Sequence, residues 1–294
     1  MNQLLAMRIF LRIAQTGSFS QAASHLGVPR SSVSKQVNDL EKYLGIKLVH
    51  RTTRAVALTA EGMEYYAQSL RIISELDELD NAMSGKGCKP TGHLRIDAPA
   101  AFAVSLLIPK LPEFQHEYPD LTIAVGISDR TINILGEGVD CGIRAGEVQD
   151  QTLIGRKITE IPFVTCASPA YLSRKGKPNS PKDVEQHHDH AGYFFAATGK
   201  PEPLVFEKQG EKYTIDAARY STNEGNGLTQ LLLAGLGIGQ HLRPCLQPYI
   251  ESGALVEVLN EWTRPSIPFH AVYPPNRHKS ARLKVFVDWL ISTF

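Results

Sequence analysis

The sequence predicts an α+β chain of several domains: a winged helix-turn-helix, one long helix, and an open α/β domain in two lobes. Three observations predict it. Helical periodicity punctuated by Gly17, Gly27 and Gly45 opens the chain, an apolar stripe at steps of three and four runs from Met63 to Met83, and strand-like and helix-like segments alternate from His93 onward. A length of 294 residues, 43% of them hydrophobic, suits about two domains with sizeable cores.

Leu4, Met7, Phe10, Leu11 and Ala14 give a first amphipathic helix that Gly17 ends. Ser18, with Gln21 three residues on, reads as a capping box opening a short second helix that stops at Gly27. Pro29 is expected at the first position of a third helix, whose buried stripe is Val33, Val37, Leu40 and Leu44. Its other face gathers Arg30, Ser31, Ser34 and Lys35, with Ser32 close by. Serine is a poor helix-interior residue, and capping accounts for one, not three. Short hydroxyl side chains and cations are what a helix entering the DNA major groove needs. Charge agrees: residues 1–58 carry eight lysines and arginines against two acids, whereas residues 59–88 carry two against six. Such asymmetry points to a polyanion partner for one end only.

Lys47 to Leu58 alternates as a two-stranded wing would, with Arg51, Thr52, Thr53 and Arg54 at the bend, placed to meet the DNA backbone or minor groove. Thr59 then caps a helix running to about Met83, with Glu61 and Glu64 in its first turn. Met63, Tyr66, Leu70, Ile73, Leu76, Leu79 and Met83 form its stripe, and a second copy of the chain is the expected partner for so long a helix. The expected domains are 1–58 for the winged head, 59–88 for the dimerisation helix and a hinge at 85–92, and 89–294 for the rest.

The stretch "FLRIAQTGSFSQAASHLGVPRSSVSKQVNDLEKYLGIKLVHRTTRAVALTAEG", with "LIPKLPEFQHEYPDL", "SDRTINILGEGVDCGIRAG" and "LLLAGLGIGQHL" further on, resembles the LysR-type transcriptional regulators, in the branch with "HRTTR" in the wing. The resemblance spans essentially the whole chain. It implies a homodimer, and usually a tetramer, that binds an interrupted palindrome in double-stranded promoter DNA. It also implies a C-terminal sensor of a small organic effector with the two-lobed periplasmic-binding-like fold. The lobes would be about 89–163 with 267–294, and 164–266.

Open α/β sheets bind ligands beyond the carboxyl ends of their strands, where helix N-termini offer donors. That rule selects backbone amides at Ala101 and Phe102, then Ser128, Arg144, Thr222, Asn223, Asn226 and His241, and with them an anionic or aromatic effector. Ala101 stands where the family usually carries serine or threonine, and Gln240 and His241 interrupt its usual apolar run. Arg144 has a plainer reading, an ion pair with Asp129 or Asp140. No cofactor, metal or catalytic set is expected: His187 to His190 point different ways, and Cys166 has no base in the sequence. The competing readings are an enzyme on such a core, using Cys166 or His241, and an architectural DNA binder without an effector. The start of the chain shows no leader pattern and no apolar run of membrane-spanning length occurs, so a cytoplasmic protein is expected, with no membrane partner.

Overall fold

The computed structural model describes residues 1–51, 56–83, 90–130, 132–134, 136–216, 218–275 and 280–294, leaving out the side chains of residues 51, 74, 75 and 77–83. The chain divides into two compact units, Met1–Cys88 and Lys89–Phe294.

In the first unit α1 (Gln3–Thr16), α2 (Phe19–Leu26) and α3 (Arg30–Leu44) surround Phe10, Val33, Val37 and Leu40, all fully buried. Each ends at a left-handed glycine, Gly17, Gly27 and Gly45. Ser18 Oγ accepts from Gln21 N, but the other half of the expected capping box is made by Thr16, whose Oγ1 accepts from Ser18 N. Pro29 sits at the N-cap of α3, one residue before its expected place.

Strands β1 (Val49–Arg51) and β2 (Val56–Leu58) pair antiparallel, and α4 (Ala60–Met83) follows. Thr59 Oγ1 accepts from Gly62 N at 2.8 Å and donates to Lys47 O at 2.6 Å, so one hydroxyl caps α4 and ties it to the residue before the wing. Gly62 is required by close approach, since a Cβ there would stand 2.0 Å from Leu48 O. Glu41, buried at the end of α3, accepts from Leu48 N at 2.9 Å, Val49 N at 3.2 Å and Lys47 Nζ at 2.7 Å.

Part of the α4 stripe is covered within the chain. Ile73 is buried against Met7 and Leu11 of α1, with Tyr66 and Leu70 packed beside it. Leu76 is half-buried, and the side chains of Leu79 and Met83 lie outside the described residues. Met63, the first residue of the stripe, is exposed, as are Ile72, Leu4 and Leu5 outside it.

The second unit contains, in order, β3 (Gly92–Ala98), α5 (Ala100–Phe102), a π segment (Ala103–Leu107), α6 (Ile108–Glu117), β4 (Leu121–Ile127), β5 (Cys141–Ala145), β6 (Ile154–Ile161), β7 (Phe163–Ala167), α7 (Pro169–Lys175) and α8 (Pro181–His187). There follow β8 (Ala191–Tyr193), β9 (Leu204–Lys208), β10 (Glu211–Ile215), β11 (Tyr220–Thr222), α9 (Gly225–Leu233), β12 (Gly239–Leu242), α10 (Arg243–Glu251), β13 (Val256–Glu257), β14 (Ile267–Tyr273) and α11 (Ala281–Thr293). A five-stranded sheet in the order β4-β3-β5-β14-β6 makes one lobe, with Phe102, Phe114, Phe286 and Leu290 fully buried in its core. The other lobe has small sheets, β12-β7-β13, β11-β8 and β10-β9. The chain leaves the first lobe between β6 and β7 and returns at β14.

By its residues alone "ITEIPFVTCAS" reads as one strand, "TINILGEG" as a short helix and Leu228 as the start of a helix, and all three change. The single strand expected over "ITEIPFVTCAS" is two, because Pro162 has no N–H for a ladder and falls where the chain changes sheet. The short helix expected over "TINILGEG" is a set of turns among its described residues: Asn133 Oδ1 takes Gly136 N at 2.9 Å, and Gly138 is left-handed at φ 67°. Helix α9 opens at Gly225, not Leu228, because the Glu224 carboxylate caps Asn226 N and Gly227 N.

Candidate functional site

Two sites follow from these elements. On α3, whose Val33, Val37 and Leu40 face the core, the expected DNA-facing residues Arg30, Ser31, Ser32 and Lys35 are exposed and Ser34 is half-buried. Backbone placement of Arg51 ends β1; its side chain, and all of Thr52, Thr53 and Arg54, lie outside the described residues.

The second site is a cavity of 420 Å³ in the second unit, between the two lobes. Ala101, Ser128, Arg144 and His241 line it; Thr222, Asn223 and Asn226 are not among the described residues that do. Phe102 turns the other way, stacked on Phe269 at 5.1 Å between ring centroids. At the two helix starts a carboxylate of the chain already holds amides, at Ala100 and Gly225, not at the expected Ala101 or Phe102. Asp129 Oδ1 accepts from Ala100 N at 2.7 Å and its Oδ2 from Gly225 N at 2.8 Å, so one carboxylate joins the start of α5 to the start of α9 across the lobes. Burial holds the Asp129 carboxyl above the usual carboxylate range despite those two amides.

Arg144 is also committed, although to neither acid considered in advance. Its guanidinium lies 2.8 Å from Asp97 Oδ1 and donates to Ile143 O at 2.7 Å. Asp97 on β3 pairs in register with Gly126 of β4 and Gly142 of β5. A Cβ at Gly126 would meet Asp97 Oδ2 at 3.2 Å, and one at Gly142 would meet Arg144 Cζ at 3.4 Å, so the two glycines make room for the pair.

Sequence reasoning missed the rest of the wall. Tyr193 and Phe195 meet edge to face at 5.7 Å, and Glu202 holds Arg264 at 2.7 Å, whose guanidinium stacks over Phe163. Tyr193 is pushed up to about 12 by burial and then by Asp129, Glu202 and Glu224, the mark of a negative wall. Gln240 is spent on structure, bonding Val205 N, Val205 O and Thr165 Oγ1. His241 is not: its ring is buried, burial pushes it down to about 4, and its Nε2 has no hydrogen-bond partner among the described residues.

Residues 4–63 match the family model described as a bacterial regulatory helix-turn-helix protein of the lysR family, and residues 89–294 match the LysR substrate binding domain. The chain belongs to the LysR family of bacterial transcriptional regulators. It is 34% identical to an HTH-type transcriptional repressor of Pseudomonas aeruginosa, over 100% of this chain and 93% of that one. It is 36% identical to the Escherichia coli HTH-type regulator YhjC, over 99% and 97%. Its fold matches the solved structure of CrgA, a LysR-type regulator of Neisseria meningitidis, with a TM-score of 0.62 at 32% identity, over 98% of this chain and 97% of that one. The LysR architecture thus consists here of a helix-turn-helix DNA-binding unit and a substrate-binding effector domain.

In this LysR-type regulator the groups once weighed for chemistry are held otherwise. Cys166 is fully buried and burial pushes its thiol up to about 12, the reverse of what a nucleophile requires. His187 pairs with Asp183, His188 with the Tyr171 hydroxyl, and His190 Nε2 with Val184 O. No helix among the described residues is long and apolar enough to cross a membrane.

Proposed function

We propose that this regulator acts in the cytoplasm as a homodimer or higher homo-oligomer, reads a two-fold operator with α3 in the major groove, and answers to a small organic molecule bound between the lobes. The observation that carries the DNA reading is the exposed Arg30, Ser31, Ser32 and Lys35 face on a helix whose other face is buried. Phosphate and guanine take the cations, and the hydroxyls suit either base edges or phosphate. A second copy would cover the apolar surface around Leu4 and Ile72, at a 300 Å³ cavity between α1 and α4. The interlobe cavity supports the effector reading because His241 Nε2 is buried there without a partner and both lobes contribute to its wall.

Anisotropy titrations of the full chain against DNA upstream of its own gene, repeated with a small-molecule library, test the whole reading. Salt-dependent binding to a two-fold site, altered by at least one compound, is expected. Binding that ignores every compound would favour the architectural alternative.

A further inference from the structure

We propose that the interlobe cavity recognises a small organic cation, a primary ammonium on an aromatic or apolar body, and rejects the carboxylate of matching size. This rests on the reading that the effector occupies this cavity.

The first three amides of α9, at Gly225, Asn226 and Gly227, are taken by Asp129 and Glu224. At the start of α9 an incoming carboxylate therefore finds carboxylates where the helix donors would have held it, and like charge repels it. Of the lining cations Arg144 is answered by Asp97, and the lining Glu202 is itself held by Arg264. Arg130 is the exception; it is exposed, next to Asp129 in the chain, and screened by solvent. Asp129 itself makes no ion pair among the described residues, and each of its oxygens, having accepted one amide, keeps a lone pair.

Three further features suit an ammonium. Tyr193 and Phe195 line the cavity with aromatic rings, which attract cations, and Phe195 is 47% exposed, open to a ligand's body. His241 is buried and burial opposes its charge, so it adds no fixed positive charge that would draw an anion. The acids whose charge is felt at Tyr193, Asp129, Glu202 and Glu224, also favour a positive ligand.

The test uses the full-length chain with matched pairs: benzylamine against benzoate, 2-phenylethylamine against phenylacetate, and tyramine against 4-hydroxyphenylacetate. Calorimetry should give at least one amine a Kd at least tenfold lower than its acid. Asp129→Asn should close that gap, and Phe195→Ala, at an exposed ring, should weaken the amine several-fold without moving the ligand-free melting temperature. Should Asp129→Asn fail to fold, the wild-type gap and the Phe195→Ala loss still decide. Acids that bind more tightly than amines, with affinity lowered by Phe195→Ala, would overturn the cation while leaving the cavity as the effector site. Amine binding that neither substitution alters would overturn both readings, and no amine binding at millimolar concentration would overturn the cation.

Discussion

Glu41→Ala is expected to unfold the DNA-binding unit selectively. The carboxylate holds two backbone amides, Leu48 N and Val49 N, belonging to residues that are 0% and 5% exposed. Without it both donors lose their partner, at about 1–3 kcal/mol each, or about 2–6 kcal/mol together. The Lys47 contact adds little, because that side chain is 74% exposed. In a unit of this size about 1 kcal/mol moves the midpoint by roughly 4–8 °C, so a fall on the order of 10 °C or more is expected. The assay is internal to the chain: both tryptophans, Trp262 and Trp289, lie in the other unit. Circular dichroism at 222 nm should therefore show an early helix-melting step that tryptophan fluorescence does not. Glu41→Gln keeps an acceptor oxygen and should cost about 1 kcal/mol. Burial pushes the Glu41 carboxyl up, but bonds from Lys47, Leu48 and Val49 outweigh it and leave it below the usual range. Its contribution is therefore present above the unfolded value and lost as pH falls through the native one, so wild type and Glu41→Gln should converge below about pH 4. A melting point for Glu41→Ala within 2 °C of wild type at neutral pH would refute this account of the wing's anchorage.

Lys35→Ala should weaken all duplex sequences and lower the slope of log affinity against log salt by about one, whereas Ser31→Ala should change sequence preference at an unchanged slope; equal slopes for wild type and Lys35→Ala would remove the phosphate role. Ile72→Asp, at a position 45% exposed, should dissociate oligomers in sedimentation without lowering the melting point, while Ile73→Asp, buried against Met7 and Leu11, should destabilise the unit itself; the opposite pattern would return Ile73 to an interface. Arg144→Ala should destabilise the effector domain by up to about 3 kcal/mol in chemical denaturation, toward the low end for a broken buried pair because Arg144 keeps a fifth of its surface in solvent; a neutral result would mean Asp97 has no need of its partner.

Much of the head was legible because its signals are local. Glycine after each helix, Ser18 before the second and Thr59 before the fourth act within a turn of their own position, and periodicity picks out the buried faces. The α4 stripe shows the limit of periodicity: it tells which face is apolar, not whether α1 or a second chain covers it. The cavity was half legible. The rule about strand ends found Ala101, Ser128, Arg144 and His241, but Asp129 meets Gly225 across 96 positions of chain, and nothing in "GISDR" distinguishes a clasp from a solvated loop acid. The Arg144 pair left a fainter trace, glycines at 126 and 142 inside strand-like runs, where a missing side chain signals that something else needs the space.

The Asp129 clasp is built from one side chain and two backbone amides. An amide survives every substitution except proline, so neither Ala100 nor Gly225 can readily lose its half of the bond by mutation. All the heritable variation of the clasp is therefore carried by a single codon. The outline of the cavity, by contrast, is spread over residues from Pro99 to Phe269 in both lobes. In descent, this clasp and the shape of the chamber are free to change separately, the first in one step and the second only by many.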